Sequence, residues 1–214
     1  MTNRRTARPI LYNFRRCPHA MRARLTLLRS ATVCELREVK LSAKPPEMIA
    51  ASAKATVPIL VLLDGRVIDE SLDLMHWALE RQDPGRWHDT KDADWIAAND
   101  GAFKDHLDRY KYCGHRTTDA NLHCAAAMVY VQSFNARLAS KPCMGGPAPG
   151  LTDVAIMPFV RQFALTDRPW FDFQALAYVR VWLAEWLASS LLQAAMLRVP
   201  PPKAGEDPVL FGVG

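Results

Sequence analysis

The stretch Ile10-Leu11-Tyr12-Asn13-Phe14-Arg15-Arg16-Cys17-Pro18-His19-Ala20-Met21-Arg22-Ala23-Arg24-Leu25 contains the change of rhythm that decides the fold. Residues 10–14 form a short, largely apolar run suited to a buried strand. From Pro18 onward Met21, Leu25 and Leu28 recur at i, i+4 and i+7, the stripe of an amphipathic helix over 18–30. Proline favours the first position of a helix, where its missing N–H would have had no partner anyway. Cys17 therefore stands where a strand ends and a helix begins.

The same alternation continues outward. Residues 33–41 read as a second strand, with Cys34 and Leu36 set against Glu35 and Arg37. A loop over 42–46 leads to a short helix over 46–52. Two further strands, 58–63 and 66–68, are joined by Asp64-Gly65, a hairpin signal because glycine accepts a positive φ at no steric cost. Leu72, Met75, His76 and Leu79 mark another helix. The order βαβαββα implies a mixed four-stranded sheet with helices on its faces, over 9–81. Past Asp83-Pro84-Gly85 the strand signal stops. Helices are expected over 91–112, 119–140, 151–165, 174–188 and 190–197, giving an all-helical second domain over 90–198. Pro200-Pro201-Pro202 ends the last helix, and residues 1–8 and 200–214 read as tails, the latter poorly ordered.

Composition narrows the function classes. Half of the 214 residues are hydrophobic and 23% charged, ordinary for a globular chain with a real core. The formal charge is +5, but Arg4, Arg5 and Arg8 lie before the first strand, and without these three it is only +2. No basic stripe interleaved with aromatics occurs elsewhere, so a nucleic-acid partner is not expected. The leader lacks an export signal's apolar core, because Asn13, Arg15 and Arg16 interrupt the run after it. No run approaches the ~18 apolar residues of a membrane span. The expected location is the cytoplasm. The five cysteines, Cys17, Cys34, Cys113, Cys124 and Cys143, are scattered and odd in number, which fits reduced thiols rather than a disulfide framework. Cys113, His115, His123 and Cys124 are all possible ligands, but their spacing matches no usual zinc site, and no metal is expected.

Cys17 is the residue with chemistry in view. A thiol at a helix start faces backbone N–H groups without partners and the positive end of the helix dipole. These favour thiolate over thiol, and Arg15 and Arg16 add positive charge, so its pKa should fall below the free value of ~8.5. A thiolate there can attack a disulfide sulfur or an electrophilic carbon. The bland alternative is a structural cysteine at a strand–helix turn. Ala20 stands three residues on, so no near neighbour can close a disulfide, and the resolving thiol must come from outside.

Four stretches together give this chain a resemblance to the cysteine-type glutathione transferases, omega-like and related bacterial enzymes. Cys17-Pro18-His19-Ala20-Met21-Arg22-Ala23-Arg24-Leu25 is similar to their C-P-x-A-x-R-x-R-L segment. Thr56-Val57-Pro58-Ile59-Leu60 resembles the turn that carries a cis-proline. Asp69-Glu70-Ser71 resembles the acidic-serine pair that grips the glutamyl end of glutathione. Leu151-Thr152-Asp153-Val154-Ala155-Ile156-Met157-Pro158-Phe159 is similar to a helix-nucleating segment of the second domain. The resemblance implies a thioredoxin-like domain followed by a helical one, and glutathione as co-substrate. In this reading Val57 and Pro58 hold its cysteinyl unit, Ser71 the glutamyl carboxylate, Glu70 the glutamyl ammonium and Lys44 the glycyl carboxylate. For Glu70-Ser71 the plain alternative is helix capping, and for Lys44 a solvated surface charge. The implied activity is glutathione-dependent thiol transfer, reduction or conjugation of a small electrophile, by way of a mixed disulfide at Cys17. The implied assembly is a homodimer. The alternative is a non-catalytic protein of the same fold that binds ligands or other proteins.

Three further expectations complete the reading. Phe103, Leu107 and Tyr110 share a helical stripe that faces either a second-substrate cleft or the core, with the core favoured. Tyr12 is the rival catalytic group. Gly150 precedes Asp153 by three residues and offers no side-chain acceptor, so the helix starting at 151 should be weakly capped.

Overall fold

In a computed structural model, the residues described are 8–112, 118–202 and 207–212. They form two compact units, one running up to Pro84 and resuming at Ser190, the other spanning Gly85–Ser189.

The first unit is built on a mixed sheet of β1 (Ile10–Asn13), β2 (Cys34–Glu38), β3 (Ile59–Val61), β4 (Val67–Ile68) and β5 (Leu210–Phe211), in the order β4-β3-β1-β2-β5. β1 pairs parallel to β2, with Leu11 opposite Leu36, and antiparallel to β3, with Leu11 opposite Leu60. Alternation along the strands sends side chains to two faces. Leu11, Cys34, Leu36 and Leu60 pack with Ala23 and Leu27 of α1 (Pro18–Arg29) and with Leu74 and Ala78 of α3 (Ser71–Arg81). Tyr12 and Ile59 turn the other way, onto Met48 of α2 (Pro46–Ala51). The β3–β4 hairpin turns at Gly65 with φ +83°, as Asp64-Gly65 led one to expect.

The sheet has five strands where the sequence led us to expect four. The correction comes from the stretch read as a disordered tail. Leu210 and Phe211 pair antiparallel with Glu35 and Cys34, and the Leu36 N–H donates to Val209 O at 2.8 Å. Phe211 is buried in the core with Leu11 and Leu27, so burial of one aromatic ring outweighs the loop-like composition before it.

The second unit is helical among the described residues. Its expected first helix, 91–112, is divided: α4 (Ala93–Ala98) and α5 (Lys104–Tyr112) flank a π-type turn over Asn99–Phe103, where Gly101 leaves helical geometry. Then come α6 (Thr118–Ser140), α7 (Leu151–Thr166), α8 (Arg168–Phe173) and α9 (Ala177–Ala188). The sequence reading missed α8, although Asp167 caps it by accepting from Trp170 N. The last short helix, α10 (Ser190–Ala195), packs on α1 and belongs to the first unit. Among the described residues no helix is long and apolar enough to cross a membrane.

The start of α7 corrects the expectation of weak capping. Gly150 has no side chain to offer, but Thr90, from the 3-10 turn Trp87–Thr90, supplies one. Its Oγ1 accepts from Leu151 N at 2.8 Å and donates to Trp87 O at 2.7 Å. Thr152 Oγ1 donates back to Thr90 O at 2.6 Å and accepts from Asp92 N at 2.8 Å. Asp153, wholly buried, accepts from Gly150 N at 3.2 Å, Met144 N at 2.8 Å and Trp182 Nε1 at 2.8 Å. A Cβ on Gly150 would fall 1.8 Å from Thr90 Oγ1, so the glycine makes room for a cap delivered from elsewhere in the chain.

Candidate active site at the start of helix α1

Cys17 is the N-cap of α1, with φ −71° and ψ 126°, and Pro18 follows as the first helical residue. The loop that delivers it is held from both sides. Asn13 Nδ2 and Arg15 N both donate to the Glu38 carboxylate at the end of β2, the latter at 2.7 Å. Arg24, wholly buried, reaches back from α1 and donates from Nη2 to Arg15 O at 2.6 Å. Cys17 N donates to Phe14 O at 2.9 Å, closing the turn. Because one end of this loop hangs on β2 and the other on α1, the thiol has little freedom to wander.

The partly buried Cys17 Sγ lies 3.7 Å from Val57 O, in hydrogen-bonding range for sulfur. The Val57–Pro58 bond is cis. The N-terminus of α3 joins the same end of the sheet. Ser71, its first residue, is buried, with its Oγ accepting from Arg22 Nε at 3.0 Å and 3.2 Å from His19 Nδ1. Arginine can only donate, so Ser71 keeps its one O–H proton for His19 or for a ligand carboxylate. The two arginines of the quoted segment thus do different things: Arg22 orients Ser71, and Arg24 holds the Cys17 loop.

Glu70 and Asp69, just before α3, are bridged by a residue that the sequence reading did not select. Lys54 Nζ sits 2.5 Å from Glu70 Oε1 and 3.2 Å from Asp69 Oδ1. Ser52 Oγ donates to the other Asp69 oxygen at 2.6 Å. Glu70 and then Asp69 raise the Lys54 pKa, while the Ser52 hydroxyl, followed by Lys54, lowers that of Asp69. The only sequence signal for Lys54 was its place three residues before Val57. Lys44, which the sequence did select, is partly buried in the loop before α2. Among the described residues no bond ties its amine to Cys17, Val57 or Ser71.

The remaining selected residues lie elsewhere. Phe103 and Leu107 are 0% exposed and Tyr110 8%, packed with Phe134 and Phe163 inside the helical unit. Burial leaves no surface of Phe103 or Leu107 for a second substrate, so the stripe is core. Tyr12 is buried, and its hydroxyl accepts from Arg37 Nη1 at 3.3 Å. Among the other cysteines, burial pushes the Cys34 thiol up to about 12, with Glu35 adding to the effect. Cys143 is likewise pushed up to about 12 by burial, then by Asp153 and Glu185. Burial also raises Cys124, opposed by its hydrogen bond to Tyr110. Cys113 and His115 lie outside the described residues. His123 Nδ1 is 3.0 Å from His106 Nδ1, and no group of three or more metal-ligating side chains occurs among the described residues.

A cavity of about 390 Å³ lies in the first unit, lined by Pro9, Thr32, Leu63, Trp77 and Arg81 among others. These residues mark the opposite end of the sheet from Cys17.

Residues 11–87 match the family model described as the N-terminal domain of glutathione S-transferase. No curated protein sequence matches the chain. Similar solved structures include glutathione S-transferase III in apo form, at 19% identity and TM-score 0.74, covering 92% of this chain and 100% of that one. A glutathione transferase from Pseudomonas putida, with one glutathione disulfide bound per subunit, has 17% identity and TM-score 0.75, covering 91% and 93%. Another from Burkholderia graminis, with two glutathione molecules bound per subunit, has 15% identity and TM-score 0.75, covering 91% and 90%. The chain therefore carries a thioredoxin-like sheet of the glutathione transferase N-terminal type and, over nine-tenths of its length, the glutathione transferase fold.

Proposed function

We propose that the protein is a glutathione-dependent enzyme with Cys17 as nucleophile, acting in thiol transfer and reduction or in conjugation of small electrophiles. The observation that carries the reading is the placement of the Cys17 thiol at the mouth of α1, 3.7 Å from Val57 O. The Val57 backbone pairs with an extended peptide, as in strand addition. Ser71, at the start of α3, is suited to a carboxylate. Glu70 serves the glutamyl ammonium, and Lys44 the glycyl carboxylate. The glutathione-bound structures of similar fold support this choice of ligand.

In thiol transfer, the Cys17 thiolate attacks the glutathionyl sulfur of a mixed disulfide. A Cys17–glutathione disulfide forms, the old S–S bond breaks, and the substrate leaves as thiolate and takes a proton. A second glutathione thiolate then attacks the glutathionyl sulfur, releasing glutathione disulfide and restoring the Cys17 thiolate. The net reaction reduces the substrate and oxidises glutathione. We place this chemistry in the cytoplasm and in a homodimer. Light scattering at micromolar concentration tests the dimer.

The test of function is a glutathione-dependent disulfide reduction assay on wild type and Cys17→Ala, with mass spectrometry after exposure to glutathione disulfide. We expect one glutathionyl adduct on the Cys17 peptide, removed by reductant, and loss of turnover in the variant. Undiminished thiol transfer by Cys17→Ala would overturn the assignment.

A further inference from the structure

The ammonium of Lys54 fills a position that a ligand would need. It lies between the carboxylates of Glu70 and Asp69, 2.5 Å from the first and 3.2 Å from the second. Ser52 fixes Asp69 from its other oxygen. Immediately after this pair comes Ser71, held by Arg22 and facing His19. The local order is thus an ammonium on carboxylates, followed by a hydroxyl at a helix start. A free α-amino acid end carries the same two groups, an ammonium and a carboxylate. In the glutathione reading Glu70 receives the ligand's α-ammonium. A lysine Nζ offers the same chemistry, a primary ammonium with three N–H donors. The chain therefore supplies its own competitor for that contact.

Charge and exposure decide how strong the competition is. Asp69, Glu70 and Lys54 together carry one net negative charge; without Lys54 they would carry two. An incoming ammonium is attracted less to the first arrangement than to the second. Exclusion is not expected, because the Lys54 and Glu70 side chains are 51% and 60% exposed, and pairs this exposed are weak and easily rearranged. Lys54 can also move off Glu70 while keeping Asp69. The carboxylate position at Ser71 is left unchanged.

Resting on the glutathione reading, we propose that Lys54 determines specificity at this site: it competes with the ligand's α-ammonium for Glu70. The pocket then takes γ-glutamyl peptides chiefly by their carboxylates and discriminates weakly against analogues that lack the ammonium. A lysine here relaxes a recognition that a neutral residue would sharpen.

Calorimetric titration of the full chain tests this, with S-methylglutathione, which cannot form disulfides, and its des-amino (glutaryl) analogue. The readout is the ratio of the two affinities. Wild type should prefer the amino form by less than roughly threefold, and Lys54→Met should raise that preference by roughly three- to tenfold. Lys54→Gln should behave like Lys54→Met, and adding Glu70→Gln to Lys54→Met should return the ratio to the wild-type range. Far-UV circular dichroism verifies the folding of each variant, since Lys54 is exposed. If wild type and Lys54→Met both bind S-methylglutathione with the same ratio, the Lys54 inference fails and the glutathione reading stands. If wild type binds neither ligand at millimolar concentration, both fail.

Discussion

Replacing Gly150 with serine restores to α7 the residue type that usually opens a helix, yet the structure says it should harm this protein. The Gly150 backbone is extended, with φ −164°, which any residue adopts, so no strain comes from there. The obstacle is Thr90, since the new Cβ would lie 1.8 Å from its Oγ1, 2.7 Å from its Cβ and 2.8 Å from its Cγ2. Forcing an extra group into packed space costs about 1–3 kcal/mol. Thr90→Gly removes the cap from Leu151 N, at about 1 kcal/mol, and loosens the backbone for roughly 0.5–1 kcal/mol more. Made together, the two changes relieve the clash, since the three atoms nearest the new Cβ all belong to the Thr90 side chain, and the serine hydroxyl can cap α7 at the N–H of Thr152 or Asp153. The double variant should be more stable than the sum of the single effects by about 1.5 kcal/mol or more, a clear coupling between neighbours. Urea unfolding followed by tryptophan fluorescence measures it, and five of the six tryptophans, all but Trp77, lie in this unit. Additive effects within about 0.5 kcal/mol would refute the claim that Thr90 occupies the missing cap's place.

Cysteine labelling at pH 8 should modify Cys17 ahead of Cys34 and Cys143, whose buried thiols, at about 12, leave roughly one molecule in ten thousand as thiolate; equal rates in the folded protein would contradict this. Burial raises the Asp153 carboxyl above the usual carboxylate range, against the N–H groups of Met144, Gly150 and Trp182 that donate to it. A raised folded pKa means that the stability linked to the protonated form is present below the unfolded value and is lost as pH climbs through the folded one. Wild type should therefore lose stability relative to Asp153→Asn as pH rises from 4 to 7, and a difference that grows in wild type's favour would overturn the direction. Phe211→Ala should cost about 3–5 kcal/mol by emptying a core position, a fall in Tm of roughly 6–20 °C; a melting point unchanged within 2 °C would show that β5 adds nothing.

What was legible in the sequence was what neighbouring residues decide. The strand–Cys17–Pro18–helix turn, the Asp64-Gly65 hairpin and the stripes of α1 and α3 all carry their signal within a few positions. Cys17, Val57, Glu70 and Ser71 stood out as candidates because each sits at an element boundary, and the sheet brings such boundaries to one end. What escaped depends on distant partners. Thr90 caps a helix that starts about sixty residues later, and nothing near either position announces it. Lys54 was invisible because an exposed lysine fits almost anywhere; its meaning comes from Asp69 and Glu70, fifteen and sixteen residues on. The break at Gly101 was masked by helical spacing on both sides. A two-residue strand after three prolines shows no period, and in β5 only the apolar Val209-Leu210-Phe211 hinted at order.

The fifth strand also puts a clock on synthesis. β2 is made early, and its partner residues follow about 175 positions later. At ~5–20 residues per second that interval is about 9–35 s, during which the outer edge of β2 has no strand beside it. An open edge is a template for pairing with other nascent chains. β2 carries its own guard in Glu35, Arg37 and Glu38, with Glu35 and Arg37 paired at 2.7 Å, so that charge lines the edge before β5 arrives. Neutralising Glu35 and Arg37 together should therefore harm yield from the ribosome more than it harms the stability of the finished fold.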